Sequence, residues 1–318
     1  MTAQHLILCP VDFSPASAGA LRYAALLTTQ FSARVIALTI EDPLLTEALD
    51  LGTGAIWDPE LCKSELARFV AITLGDNAAA RESVDCECAV GKPAAEILRV
   101  SRDRACELIV MGSHGLTGAR RLFFGSTTER VLRETTTPVL VTPPVDPGPL
   151  HFEDAKRFVR RLLVPVDLSS ASLAQTKIAA GIAEALDLPA ILAYVIEPIR
   201  TPLTARLHLA GIQGNRRAVA DDRLRELLAN FPERLHSEAL LAYGDPAEEL
   251  AKVASDRDVG LIVVGLHGSP LFGPRMGSVT YRILCLTKAM VLAVPPQFPE
   301  AIAADEKSTT AVGSSQSN

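Results

Sequence analysis

The chain has 318 residues, about twice the length of an ordinary domain, and it is 48% apolar and 21% charged with a mean hydropathy of +0.22. These values are typical of a soluble globular protein and exclude a disordered, fibrous or disulfide-knotted chain. The formal net charge is −6 and no long basic run occurs, so we expect no nucleic-acid partner.

In chain order, short β-rich apolar runs alternate with longer segments of helical period, which predicts a parallel sheet covered by helices on both faces. Ser14 is expected to cap the first helix, with Pro15 at its first position. In the first half, strands are predicted at His5–Val11, Arg34–Ile40, Ser83–Val90, Leu108–Met111 and Val139–Val141, and further helices at Asp58–Leu74, Pro93–Arg102 and Ser126–Glu134. The same order is predicted from 161 to 296.

The two halves of the chain are copies of one unit. Residues 89–115 align with residues 242–268 without a gap, and 14 of 27 positions are identical. LCPVDFSPAS near the start of the first half likewise matches LVPVDLSSAS in the second. The repeat predicts one domain at 1–145 and another at 160–298. A proline-rich linker is expected at 146–159 and a disordered tail at 299–318.

The last strand of each half is short and apolar. Pairing Val139–Val141 with Val291–Val294 inside one chain would shield both sheet edges and make a pseudo-dimer. A homodimer of the whole chain stays open as well.

A glycine-bearing loop after the fourth strand is the candidate binding site, because open parallel sheets bind ligands beyond the carboxyl ends of their strands. Gly112, Gly115 and Gly125 are separated by two and nine residues. Gly125 and Ser126 open a helix whose unpaired N–H groups and positive dipole attract anions. Asp12 follows the neighbouring strand. Together these features predict a nucleotide site rather than a plain turn.

At these residues the sequence resembles the universal stress protein family, whose nucleotide signature is G-x2-G-x9-G-[ST]. CPVDFS at 9–14 looks like the end of the family's first strand, and PVLVTPP at 138–144 looks like its dimerising last strand. The resemblance covers nearly the whole chain except the linker and the tail. It implies an α/β fold with two tandem five-stranded parallel sheets sandwiched by helices, a Rossmann-like arrangement, and ATP as the ligand, with or without Mg²⁺.

The resemblance also implies which residues of the first half bind the nucleotide. Asp12 would face the adenosine, Ile40 would contact adenine through its backbone, and Met111 would line the ribose side with its neighbouring glycine. The full first-half set is Pro10, Asp12, Ile40, Met111, Gly112, Ser113, Gly115, Gly125, Ser126 and Thr127.

The second copy departs from this pattern. Only eight residues separate Gly268 from Gly277, and Leu266 replaces Ser113, so a polar donor is lost and the loop path must differ. The first half is therefore the better predicted site. The second-half set is Asp167, Val195, Val264, Gly265, Gly268, Gly277 and Ser278.

The predicted function is an ATP-binding module with a regulatory or stress-response role and no catalytic residue. His114 lies in the loop, but no carboxylate is placed by motif to orient it, so any hydrolysis would be slow. Two alternatives stay open: a slow ATPase, and a nucleotide-free interaction or scaffold protein of the same fold.

The cysteines and an arginine pair outside the loop are expected to have structural roles only. The six cysteines lack CxxC spacing, and Cys86 and Cys88 are expected to be buried free thiols rather than metal ligands. Arg216 and Arg217 are expected on a solvated helix face.

Without a signal segment or an apolar run of about 18 residues, a cytoplasmic protein with no membrane partner is expected.

Overall fold

The strands and helices follow the predicted order. A computed structural model of the protein describes residues 5–43, 58–113, 125–143, 159–198, 209–269 and 273–296. The strands are β1 (Leu6–Pro10), β2 (Arg34–Glu41), β3 (Val84–Val90), β4 (Leu108–Gly112), β5 (Val139–Thr142), β6 (Leu162–Pro165), β7 (Ala190–Ile196), β8 (Glu238–Tyr243), β9 (Leu261–Gly265), β10 (His267–Ser269), β11 (Gly273–Arg275) and β12 (Met290–Val294). The helices are α1 (Pro15–Phe31), α2 (Pro59–Leu74), α3 (Ala78–Glu82), α4 (Pro93–Asp103), α5 (Ser126–Glu134), α6 (Ala171–Leu186), α7 (Leu209–Leu228), α8 (Pro246–Asp256) and α9 (Ser278–Leu286).

The predicted ends of the first-half elements lie within one residue of the observed ones. Helix α1 begins as predicted, with the Ser14 side chain accepting a hydrogen bond from the Ser17 N–H and Pro15 in the first turn. The short helix α3 and the β10–β11 hairpin were not predicted.

Ten strands form one sheet in the order β3-β2-β1-β4-β5-β12-β9-β6-β7-β8. Within each half every pair of neighbours is parallel, which confirms the predicted two copies of a five-stranded parallel sheet. The halves meet where β5 pairs with β12 in the antiparallel sense, with Leu140 opposite Leu292. Antiparallel pairing of equivalent strands is the arrangement that a two-fold axis produces.

Apolar side chains cover both faces of the sheet. Along β1, Ile7 and Cys9 belong to the core on one face and Leu8 belongs to the core on the other. Each of these cores contains buried residues from both halves, so the layers continue across the β5–β12 seam. Among the residues described, no helix has the length and apolar character needed to cross a bilayer.

The prediction of buried free thiols fails at the edge of the sheet. Cys9 and Cys106 are buried and free. Cys86 and Cys88 are also free, but they are only half-buried, so the prediction of buried thiols was wrong for β3. The reason is position, because β3 is the outermost strand and has a neighbour on one side only.

The start of α1 packs directly on the end of β4. A Cβ added to Gly112 would meet the Cβ and the carbonyl oxygen of Ala16, both at 3.0 Å. This contact leaves no room for a side chain at Gly112, which therefore has a packing role in addition to its predicted role in ligand binding.

The register at the seam predicts an engineered disulfide. Leu140→Cys combined with Leu292→Cys should form an intrachain disulfide under glutathione disulfide, because directly opposed residues of antiparallel strands are within disulfide range. Peptide mass mapping would identify it. The control pair is Val141→Cys with Leu292→Cys, whose side chains lie on opposite faces of the sheet and should not cross-link. Equal cross-linking of both pairs would contradict the register.

Two glycine substitutions should shift stability in opposite directions. Gly112→Ala should lower the free energy of unfolding by about 1–3 kcal/mol, because the added methyl group overlaps α1. Gly181→Ala, in the interior of α6 with nothing within 4 Å of the added Cβ, should raise it by about 0.5–1 kcal/mol. Urea denaturation of both variants measures the difference, and a stabilising effect of Gly112→Ala would contradict the packing.

Candidate functional site

A tight turn after β1 holds the carboxylate of Asp12. Phe13 has a left-handed backbone with φ of 61°, and its ring packs edge-on against Phe69 with centroids 5.3 Å apart. The Ser14 N–H donates to Asp12 Oδ1 at 3.1 Å, and the Ser14 hydroxyl donates to the same oxygen. That hydroxyl also accepts from Ser17 N, so one side chain caps α1 and orients the carboxylate.

The second half repeats this turn at Asp167. Leu168 has a φ of 60°, and Asp167 Oδ1 accepts from Ser169 N and from the Ser172 hydroxyl, both at 2.9 Å. A left-handed conformation costs a residue other than glycine roughly 1 kcal/mol. The duplicated chain has kept this strained turn, and with it the carboxylate, in both copies.

The two ends of the first-half loop lie together. Gly125 N donates to Ser113 O at 2.9 Å, and the Thr128 hydroxyl donates to Gly112 O at 3.0 Å. The loop therefore leaves and re-enters at one point beyond β4. The excursion itself, with Gly115, lies outside the described residues.

Helix α5 begins at this point without a side-chain cap. Gly125 is its N-cap residue and supplies no side-chain hydrogen bond, whereas Ser14 and Asp245 cap their helices in this way. The N–H groups of the first turn, which includes Ser126 and Thr127, are the donors that anions bind at a helix N-terminus. The donor set therefore suits a phosphate group.

The remaining first-half residues lie on neighbouring strand ends, because β2, β1 and β4 are adjacent in the sheet. Pro10 and Ile40 are half-buried at the ends of β1 and β2. Met111 is only 4% exposed and packs in the core, so its backbone rather than its side chain faces the edge. Cys9 is also buried, which raises the pKa of its thiol well above the usual range and keeps it neutral near Asp12.

The second half contains a cavity of about 380 Å³ at the carboxyl ends of its strands, within the usual size range of small-molecule sites. Six of the seven predicted second-half residues line it, namely Asp167, Val195, Val264, Gly265, Gly277 and Ser278. Gly268 lies instead in β10, paired with Pro274.

Sequence reasoning missed several residues that line this cavity, among them the polar residues Gln175, Glu197 and Arg216. Arg216 was expected in solvent, but it is half-buried and its Nη1 donates to Glu197 O at 3.3 Å. Gln175 could have been found by aligning the repeats, because it replaces Ala20 on the buried face of the helix.

The shortened second loop forms a hairpin. Strands β10 and β11 pair in the antiparallel sense, and β11 lies against α5 of the first half. The second-half segment that corresponds to the glycine-bearing loop of the first half therefore contacts the other half. Within the described parts of the chain, no group of three or more His, Cys, Asp or Glu side chains is spaced to hold a metal ion.

Comparisons with known proteins agree with this architecture. The model of the universal stress protein family matches residues 5–143 and 159–295. Universal stress protein YxiE of Bacillus subtilis is 32% identical over 143 residues, which cover 42% of this chain and 96% of the relative. A universal stress protein structure from Archaeoglobus fulgidus covers 92% of this chain and 99% of that chain, with a TM-score of 0.59 and 16% identity, which is a likeness of fold.

Another solved universal stress protein is in complex with cAMP; it is 20% identical, covers 44% of this chain and 98% of that chain, and has a TM-score of 0.32. The family match extends over both repeats. The chain therefore belongs to the universal stress protein family, in a tandem form with two copies of the fold.

Proposed function

We propose that the protein binds ATP in its first half and has a regulatory or stress-response role. The observation that carries the proposal is the closed base of the loop, where Gly125 N donates to Ser113 O at 2.9 Å. This contact supports a cradle in which the uncapped start of α5 meets the end of β4. Backbone N–H groups gathered at such a point bind phosphate without needing a charged side chain.

Asp12 supplies the opposite chemistry at the same sheet edge. Its carboxylate is held by Ser14 and accepts hydrogen bonds, so it suits the hydroxyl or amino donors of a nucleoside rather than its phosphates. Donors on one side and an acceptor on the other orient a nucleotide in one direction. Mg²⁺ bound with ATP would be held mainly by phosphate oxygens and water.

We also propose that the two halves act as a pseudo-dimer in the cytoplasm, with bound nucleotide shifting the conformation that a partner or a second chain recognises. The antiparallel pairing of β5 with β12 supports the pseudo-dimer. The contact of β11 with α5 supports communication between halves, because it reaches the helix that begins at the phosphate cradle.

Replacing Gly125 by serine at the N-cap of α5 should weaken ATP binding without destabilising the fold. In Gly125→Ser the new hydroxyl caps the helix and competes with phosphate for the first-turn N–H groups. We expect ATP affinity to fall at least about tenfold while Tm is unchanged or higher. Calorimetric titration of the nucleotide-free full chain and thermal denaturation measure both. The matched variant Gly277→Ser, in the second half, should leave this ATP site intact. Unchanged affinity in Gly125→Ser would place the nucleotide elsewhere.

Asp12→Asn tests whether the Asp12 carboxylate accepts hydrogen bonds from the nucleotide. Asparagine keeps the oxygen that holds the turn but replaces the second carboxylate oxygen with a donor, so ATP affinity should fall about tenfold with little loss of stability. The control is Asp85→Asn near the amino end of β3. Asp85 forms a 2.6 Å ion pair with Arg34 there, and removing its charge should not affect ATP binding. Equal losses in both variants would argue for a general charge effect.

Chromatography of nucleotide released on denaturation, followed by ADP measurement during incubation with ATP, separates the alternatives. Turnover that disappears in His114→Ala would favour the slow ATPase. If no nucleotide is released and the protein has no measurable ATP affinity, the nucleotide-free scaffold is the remaining alternative.

A further inference from the structure

Two cysteine thiols meet where helix α2 packs on the edge strand β3. Cys62 lies near the start of α2 and Cys88 near the end of β3, and these two elements are in contact. The two thiols are hydrogen-bonded to each other. The Cys62 thiol also donates to Glu41 Oε1, on the neighbouring strand β2, at 3.9 Å. The two sulfur atoms are therefore direct neighbours at the edge of the sheet.

The packing of α2 explains this contact. Leu66 and Val70 of α2 belong to the same core layer as Cys86 of β3, so α2 covers the face of β3 that carries Cys86. Residues two apart on a strand share a face, which places Cys88 under the same helix. Cys88 lies opposite Thr39 of β2, close to the strand end that carries Glu41.

The two thiols differ in access to solvent. Cys62 is only 8% exposed. Cys88 is half-buried, because β3 is the outermost strand and has a neighbour on one side only. A small dissolved disulfide therefore reaches Cys88 first, and Cys62 stands behind it in contact with its sulfur.

Both thiols stay protonated at neutral pH. Burial raises the pKa of the Cys62 thiol, and burial together with the Cys62 contact raises the pKa of Cys88. The thiolate is the nucleophile in exchange with a disulfide. The pair therefore reacts slowly in neutral solution, which agrees with the free thiols of the structure.

The second copy of the fold has no such pair. Ala239 and Leu241 stand at the positions of Cys86 and Cys88, on the other edge strand β8. The thiol pair is thus a property of the first half alone, and β8 provides a reference edge within the same molecule.

We infer that Cys62 and Cys88 form a site of reversible oxidation, at which a low-molecular-weight disulfide such as glutathione disulfide links α2 covalently to β3. The inference does not depend on nucleotide binding.

The reaction balances with glutathione disulfide as the oxidant. The Cys88 thiolate attacks one sulfur of glutathione disulfide, which forms a mixed disulfide and releases one glutathione that takes up the proton lost by Cys88. Cys62 then attacks the Cys88 sulfur, which forms the Cys62–Cys88 bond and releases a second glutathione with the Cys62 proton. The protein dithiol loses two electrons, and glutathione disulfide gains them as two thiols.

The new bond acts at an open edge of the sheet. An outermost strand separates from its neighbour more easily than a central one, because fewer contacts hold it. A covalent link between α2 and β3 restricts that opening and the unfolded chain alike. Oxidation is therefore expected to tighten the first-half edge.

The first test treats the full chain with glutathione disulfide in mildly alkaline solution and maps its peptides by mass without reduction. We expect one Cys62–Cys88 disulfide, reversed by dithiothreitol, with the other cysteines free. In Cys62→Ser the reaction should stop at a mixed disulfide of glutathione with Cys88. In Cys88→Ser the buried Cys62 should stay unmodified. The matched control Cys86→Ser, on the same face of β3, should form the disulfide as the unmodified chain does.

The second test compares hydrogen exchange of the reduced and oxidised chains. Amide groups of β3 that pair with β2 should exchange at least about threefold more slowly after oxidation. Those of β8 should be unchanged, because that edge has no cysteine pair.

Three results would overturn the site: Cys62 and Cys88 that both stay free under glutathione disulfide, a disulfide that joins Cys88 to Cys86, or equal accumulation of the mixed disulfide in the unmodified chain and in Cys62→Ser. Equal exchange of β3 before and after oxidation would overturn the tightening of the edge. Mapping of the unmodified chain needs no substitution, so it decides the site even if a variant fails to fold.

Discussion

The separation of the first and fourth strands organises each half. In the first half, β1 and β4 pair at Ile7 with Leu108 and at Leu8 with Ile109, and then diverge. The segments that follow them leave toward opposite faces, because α1 packs in one core layer and α5 in the other. The result is a crevice at the carboxyl edge, where backbone groups of the separated strands need new partners and where a ligand can provide them. The candidate residues described in both halves surround such a crevice.

The two halves close this crevice differently, and this makes them unequal. In the first half Gly112 allows α1 to sit against β4, and Ala20 stands at the position of Gln175. In the second half the amide of Gln175 spans the gap and leaves an acceptor at the cavity wall. The strained turn that holds Asp12 and Asp167 is the same in both. Duplication has therefore kept the carboxylate while the chemistry opposite it has changed.

Much of the architecture could be predicted from local patterns. Strand and helix ends follow from apolar runs and caps such as Ser14 and Pro15, which act within a few residues. The sequence predicted that Gly125 and Ser126 open a helix, and α5 does begin at Ser126 with Gly125 as its N-cap. The half-buried state of Cys88 could not be predicted, because the order of strands in the sheet places it at an edge.

The amino-acid sequence by itself determined that the protein is a duplicated α/β chain, that each copy places an aspartate after its first strand, and that the glycine-bearing loops differ in length. These properties are local or come from comparing one half with the other. Only the tertiary structure decided that β5 and β12 pair in the antiparallel sense with Leu140 opposite Leu292, that β11 reaches α5, and that Gln175 and Arg216 line a cavity. The reason is physical: such contacts join residues far apart in the chain, and neither periodicity nor spacing records which distant surfaces bury one another.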